Sequence, residues 1–131
     1  MLLRTLGTLE LEGIPFGRAR PLFLLAYLTL EGTQNRIHLA ELFWPDHDVD
    51  RLNNLSVTLG RLRKGLPGVV EADNNKVWVA ADLETDQRHL RQALERGDVE
   101  AALQIQRGRF LEQIDVDTLG NDLKEWVEEQ R

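Results

Sequence analysis

The chain begins with a loose alternation of apolar and polar positions. Leu2, Leu6, Leu9 and Leu11 stand among polar residues, and Gly7 and Gly13 interrupt the run. This pattern predicts short strands near 2–6, 8–12 and 14–16, forming a small antiparallel sheet. The pattern then changes period. The run PLFLLAYLTLEG is apolar on most sides, so it predicts a largely buried helix with Pro21 in its first turn and Gly32 at its end. After a polar GTQN loop, RIHLAELFW predicts a short second helix with one packed face, stopped by Pro45. The acidic turn PDHDVD follows, where Asp48 or Asp50 is placed to cap a third helix.

The third helix is predicted over residues 50–66. Leu52, Leu55, Leu59, Leu62 and Leu66 follow a 3-4-3-4 spacing, which at 100° per residue keeps them within about 80° of arc, a core-facing stripe. Pro67-Gly68 terminates the helix. VVEA, the turn residues DNN and KVWV then predict a β-hairpin with strands near 69–72 and 76–79. Beyond AADLET the helical period returns: a helix from Thr85 or Asp86 to about residue 96, a second in VEAALQIQ, an irregular GRFLEQIDVDTLG, and a last amphipathic helix NDLKEWVEEQR capped by Asn121.

The opposite side of the 50–66 helix carries Asn53, Asn54, Val57, Gly60, Arg61 and Lys64. This combination suits a major groove. Asparagine can read adenine with two hydrogen bonds, arginine or lysine can read guanine or hold phosphate, and a valine can meet a thymine methyl. Arg51, Thr58 and Arg63 lie at the margins and are candidates for the DNA backbone. The hairpin tip adds Asn74, Asn75 and Lys76, placed as a wing is placed after a recognition helix. A basic helix face, a DNN turn or a helical glycine is commonplace alone. The order helix, helix, basic helix, hairpin carries the argument.

The net charge of −6 alters this picture only in its distribution. Residues 1–81 hold nine Lys/Arg and nine Asp/Glu, whereas residues 82–131 hold seven and thirteen, so the whole acidic excess is C-terminal. Between 51 and 70 there are four bases and no acid, a local footprint for a polyanion. Cysteine is absent, which excludes disulfides and thiolate metal sites. No apolar run approaches the roughly 20 residues of a membrane span, and the N-terminus has no signal-peptide pattern. A cytoplasmic protein without membrane association is expected. Asp46, Asp48 and Asp50 begin a calcium-loop pattern, but Arg51 replaces its glycine and Val57 its final glutamate. His38, His47 and His89 are scattered. No phosphate loop, nucleophile elbow or dinucleotide fingerprint is present, so neither a catalytic site, a cofactor nor a metal is expected.

The stretches LAELFWPD, NNLSVTLGRLRKGL and VVEADNNKVWV resemble the Streptomyces antibiotic regulatory protein family. Phe43-Trp44-Pro45 is similar to the family's Leu-Trp-Pro segment. Asn54-Leu55 and the run Leu59 to Leu66 are similar to its recognition-helix signature. TLGTLELEGIPF resembles the family's N-terminal sheet, and GRFLEQI and KEWVEEQR resemble signatures early in its activation domain. The resemblance covers nearly the whole chain and is strongest over 39–66. Position 60, usually a serine or similar in the family, is glycine here and offers no side-chain contact.

The resemblance implies an α+β fold: an OmpR-like winged helix-turn-helix with an N-terminal β-sheet and a C-terminal hairpin wing over 1–81. Over 82–131 it implies a helical, tetratricopeptide-like extension, the start of a bacterial transcriptional activation domain. Such a domain usually continues further, so the chain is expected to be a piece of a longer regulator or an unusually short one. The implied function is sequence-specific binding of double-stranded DNA and regulation of transcription, as an activator, with side-by-side copies on direct repeats and the 45–50 loop facing RNA polymerase. The rival reading is a winged-helix protein-interaction module that does not bind DNA.

Overall fold

A computed structural model describes all 131 residues. It is an α+β structure with six helices and two small three-stranded sheets. In the first sheet, β1 (Leu2–Arg4) pairs antiparallel with β2 (Glu10–Leu11), Leu3 opposite Leu11. The expected third strand at 14–16 does not form. Ile14 makes only an isolated bridge to Leu11, because Gly13 turns the chain at φ +76° and Pro15 has no N–H to donate. The third strand is instead β6 (Glu84–Thr85), which runs parallel to β1 with Leu3 opposite Thr85.

Helix α1 (Ala19–Glu31) buries every residue from Pro21 to Thr29, as its continuous apolar run requires. It ends at Gly32, whose φ of +83° suits a residue without Cβ. The GTQN loop contains β3 (Gln34–Asn35), which enters a second sheet of order β3-β5-β4 with the hairpin strands β4 (Val70–Ala72) and β5 (Lys76–Val79). Asn35 also caps α2 (Arg36–Phe43), accepting from the N–H groups of Ile37 and His38. Helix α3 (Arg51–Gly65) packs on α1 and α2.

Residues 84–131 pack onto this assembly along one seam. Thr85 caps α4 (Asp86–Glu95), accepting from Arg88 N–H at 3.1 Å. The Asp86 carboxylate turns back and accepts from Thr5 N–H, Thr5 Oγ1–H and Leu6 N–H at 2.7, 2.6 and 3.0 Å. Helix α5 (Val99–Ile105) forms a hairpin with α4. The following turn pairs with residues 5–7: Gly7 N–H donates to Arg109 O, and Leu111 N–H to Thr5 O, at 2.9 and 2.7 Å. Gly7 and Gly108 meet so closely that a Cβ on Gly108 would lie 2.6 Å from Gly7 Cα.

Helix α6 (Asn121–Gln130) closes the chain. Its N-cap is Gly120, without a side-chain bond, rather than Asn121. Gly120 lies against Pro45, where a Cβ would stand 2.9 Å from Pro45 Cγ. Trp126 of α6 packs on Phe23, Tyr27 and Phe110, and its indole N–H donates to Glu31 at 2.7 Å. One apolar core therefore runs through both halves of the chain.

Candidate nucleic-acid interface

Helix α3 starts where Asp50 accepts from Asn53 N–H at 3.0 Å. Asp46 accepts from Asp48 N–H at 2.9 Å, so two of the three aspartates order a turn and a cap. Leu55, Leu59, Leu62 and Leu66 are buried as their spacing predicts. Leu52 is not: it is 47% exposed in the first turn of α3, beside Ile37 and Val49 around an open groove of about 350 Å³. Thr58 is buried instead, and its hydroxyl donates to Asn54 O at 2.9 Å. Thr58 therefore cannot reach a DNA backbone. A threonine at this position fits the packed side because its hydroxyl satisfies itself within the helix.

The opposite face is exposed. Asn53, Ser56, Val57, Gly60, Arg61, Arg63 and Lys64 are exposed, and Asn54 is half-buried at the edge. Arg61, Arg63 and Lys64 have no carboxylate within ion-pair distance. A Cβ placed on Gly60 would meet nothing within 4 Å. The glycine that serves close packing is Gly65, where a methyl would run into the Phe16 ring. Arg51 departs from the free face. Its guanidinium donates to Pro45 O at 3.0 Å, contacts His47 Nδ1 at 3.1 Å and lies 3.9 Å from Glu41. It anchors the 45–50 loop and is partly buried.

The tip of the β4–β5 hairpin presents Asn74, Asn75 and Lys76, all exposed. Asp73 shapes the tip by accepting from the N–H groups of Asn75 and Lys76 at 2.7 and 2.6 Å. Those two bonds, the one from Asn75 foremost, hold its carboxyl below the usual carboxylate range, helped by the nearby charges of Lys76 and Arg36.

Arg36 has no counterpart in the sequence reading. Its N–H donates to Asn75 O at 2.7 Å. Its guanidinium donates to Asp73 O at 3.0 Å and to Ser56 Oγ at 2.9 Å. One side chain thus ties the hairpin tip to the exposed face of α3. Only its position at the start of α2, immediately after the β3 strand that pairs with β5, gives it that role; a lone arginine after a capping asparagine carries no such signal.

No protein-family model matches the chain, and no curated protein matches it significantly. No group of three His, Asp or Glu side chains is arranged to hold a metal ion. No helix is long and apolar enough to cross a membrane. What the surface offers is a helix face of amides, bases, a small apolar group and bare backbone, next to a hairpin tip of two amides and one lysine fixed to it.

Proposed function

We propose that the chain is a sequence-specific double-stranded DNA-binding regulator of transcription, a winged helix-turn-helix with a helical extension. Helix α3 enters the major groove and the β4–β5 tip acts as its wing. The observation that carries this reading is the exposed face of α3, with Arg61, Arg63 and Lys64 unpaired beside a hairpin that Arg36 locks to the same helix. Free cations on a preset frame bind phosphates without first breaking internal bonds. Asn53 and Arg61 are assigned to base edges, Val57 to a thymine methyl, and Arg63, Lys64 and Lys76 to phosphates. Gly60 lets the helix backbone approach the groove wall. The similarity to the antibiotic regulatory proteins supports the same reading and suggests adjacent copies on direct repeats.

The test is selection from random duplexes at two salt concentrations. A repeated motif should be enriched. For about three phosphates engaged, log affinity should fall with log salt at a slope of about −3. Absence of any enriched motif would defeat the proposal.

A second reading has its own observation. Ile37, Val49 and Leu52 are 58%, 39% and 47% exposed around the groove between α2 and the start of α3. Such a patch suits a protein partner. On the DNA-binding reading that partner is RNA polymerase, facing the 45–50 loop. On the rival reading the chain is an interaction module, and a duplex would compete for nothing.

A further inference from the structure

A groove of about 300 Å³ lies where α1, α2 and α6 meet. Asp122, Glu125 and Glu129 of α6 line it, and none of the three forms an ion pair. Their spacing of three and four residues puts them on one face of the helix, in a row about 10 Å long. No lysine or arginine lines the groove, and the one side chain there that can turn positive is His38. Tyr27 and Trp126 supply its aromatic surface, their rings meeting edge to face with centroids 4.8 Å apart. The indole N–H of Trp126 is already given to Glu31, a fourth carboxylate beside the row.

Acids on a helix face are ordinarily just solvated. Tyr27 sets these apart. It is 8% exposed, and its hydroxyl has no hydrogen-bond partner in the chain. Nor is that hydroxyl sealed inside: the one sealed side-chain polar atom without a partner is Gln130 Oε1. The little surface that Tyr27 keeps therefore includes its oxygen, and that surface opens on the groove. Buried tyrosine hydroxyls ordinarily find a partner. Burial, and after it the charge of Glu31, pushes the Tyr27 pKa up. The group stays a neutral phenol, whose oxygen can accept an N–H from a cation.

The shape of the acidic row narrows the cation. No three carboxylate or histidine side chains are arranged to hold a metal ion, so a compact ion does not satisfy the row. Separate carboxylates along a helix call for an extended cation with charges spaced along its length. The phenol calls for N–H donors, which a quaternary ammonium lacks. Leu42 and the two aromatic rings offer apolar surface to alkyl segments, and aromatic rings also attract ammonium groups.

We propose that this groove binds a linear aliphatic polyamine. Its ammonium groups lie along Asp122, Glu125 and Glu129, and one of them donates to the Tyr27 hydroxyl. The ligand bridges α1 and α2 to α6, and the site does not depend on the DNA-binding reading.

The test is an NMR titration of the full chain, labelled with ¹⁵N and free of DNA, at about pH 8 so that histidine charge does not oppose the ligand. The probes are spermidine, trilysine and magnesium chloride. The expected result is saturable shifts at the Trp126 indole N–H and at the Glu125 and Glu129 amides with spermidine. Tyr27→Phe keeps the ring, and its hydroxyl has no partner in the chain to lose, so Tm should not change. The same variant should weaken spermidine binding ~10-fold, an effect that bulk negative charge does not produce. Glu125→Gln with Glu129→Gln should weaken it several-fold, as the loss of two exposed ion pairs. Shifts that never saturate, or equal shifts with magnesium at the same concentration of charge, would overturn the proposal. So would tighter binding of trilysine, which would assign the groove to a lysine-bearing protein. A Tyr27→Phe variant that is clearly destabilised, or that binds spermidine as the parent does, would remove the phenol from the site and the proposal with it.

Discussion

Gly60→Ala separates folding from recognition in a single substitution. Gly60 lies inside α3, where glycine costs up to ~1 kcal/mol relative to alanine because it loses more backbone freedom. Nothing lies within 4 Å of the new methyl, so no packing term opposes the gain. The variant should therefore be more stable by roughly 0.5–1 kcal/mol, an upward shift in Tm of about 3 °C for a chain of this length. Thermal denaturation in the absence of DNA reads this directly. Binding should move the other way. If the helix backbone abuts the groove at Gly60, a methyl there overpacks a close interface by ~1–3 kcal/mol, which is about 5- to 150-fold in affinity. Gly65→Ala provides the control, because its methyl collides with Phe16 and, at the last residue of α3, gains less from helix propensity, so Tm should fall. A Gly60→Ala variant that is stabilised and binds its selected duplex as tightly as the parent would refute the close approach. A variant that is destabilised would refute the open space.

Three further perturbations probe the frame around that helix. Asp86→Asn should cost about 2–4 kcal/mol in urea denaturation, because one amide cannot accept from the three donors at Thr5 and Leu6 while offering N–H groups of its own to a buried site; a loss under about 1 kcal/mol would show that those bonds are replaceable. Arg36→Gln should leave Tm within a few degrees but loosen the hairpin tip, seen as faster amide exchange at Asn75 and Lys76 without DNA, and weaken the selected duplex several-fold; unchanged exchange would refute the tie. For Asp73 the folded carboxyl is depressed relative to an unfolded value of about 3.9, so its contribution to order at the tip is complete above that value and lost as pH falls through the lower, folded one. An NMR titration should therefore find Asp73 still ionised where ordinary aspartates are half protonated, and a midpoint at or above about 3.9 would refute the cap.

The long elements were legible because periodicity needs length. Helix α3 was predicted over 50–66 and spans Arg51–Gly65, and β5 spans Lys76–Val79 where residues 76–79 were expected. The two-residue strands β3 and β6 were not legible. Two residues carry no period, and both exist only because a partner strand from a distant part of the chain lies beside them. On the candidate interface, the exposed faces of Asn53, Val57, Arg61 and Lys64 followed from the leucine stripe. The exchange between Leu52 and Thr58 did not, since a helix-wide stripe takes no account of where the first turn leaves the core. Arg51 and Arg36 were misjudged and missed for one reason: a cation's destination depends on which carbonyls and carboxylates the tertiary fold brings to it. Arg51 meets Pro45 O and His47, and Arg36 meets Asp73 O and Ser56.

The seam changes what the charge distribution means. Residues 82–131 carry the whole net charge of −6, and they are joined to the rest through β6, through Asp86 and through the contact of Gly7 with Gly108. Trp126 adds stacking on Phe23 in α1. Acids held this way cannot swing aside when the chain meets a polyanion. On the proposed function, a pose with the free face of α3 toward DNA is attracted, while a pose with the acidic helices forward is repelled. Both effects fade beyond a Debye length of about 8 Å at physiological salt. The acidic half thus lowers non-specific affinity more than it lowers affinity for a site that the α3 face reads, and the discrimination between the two rises. Neutralising exposed acids on α6, such as Glu125 and Glu129, should then raise binding to random duplex more than binding to the selected motif. Equal increases would mean that the extension contributes bulk charge without orienting the helix.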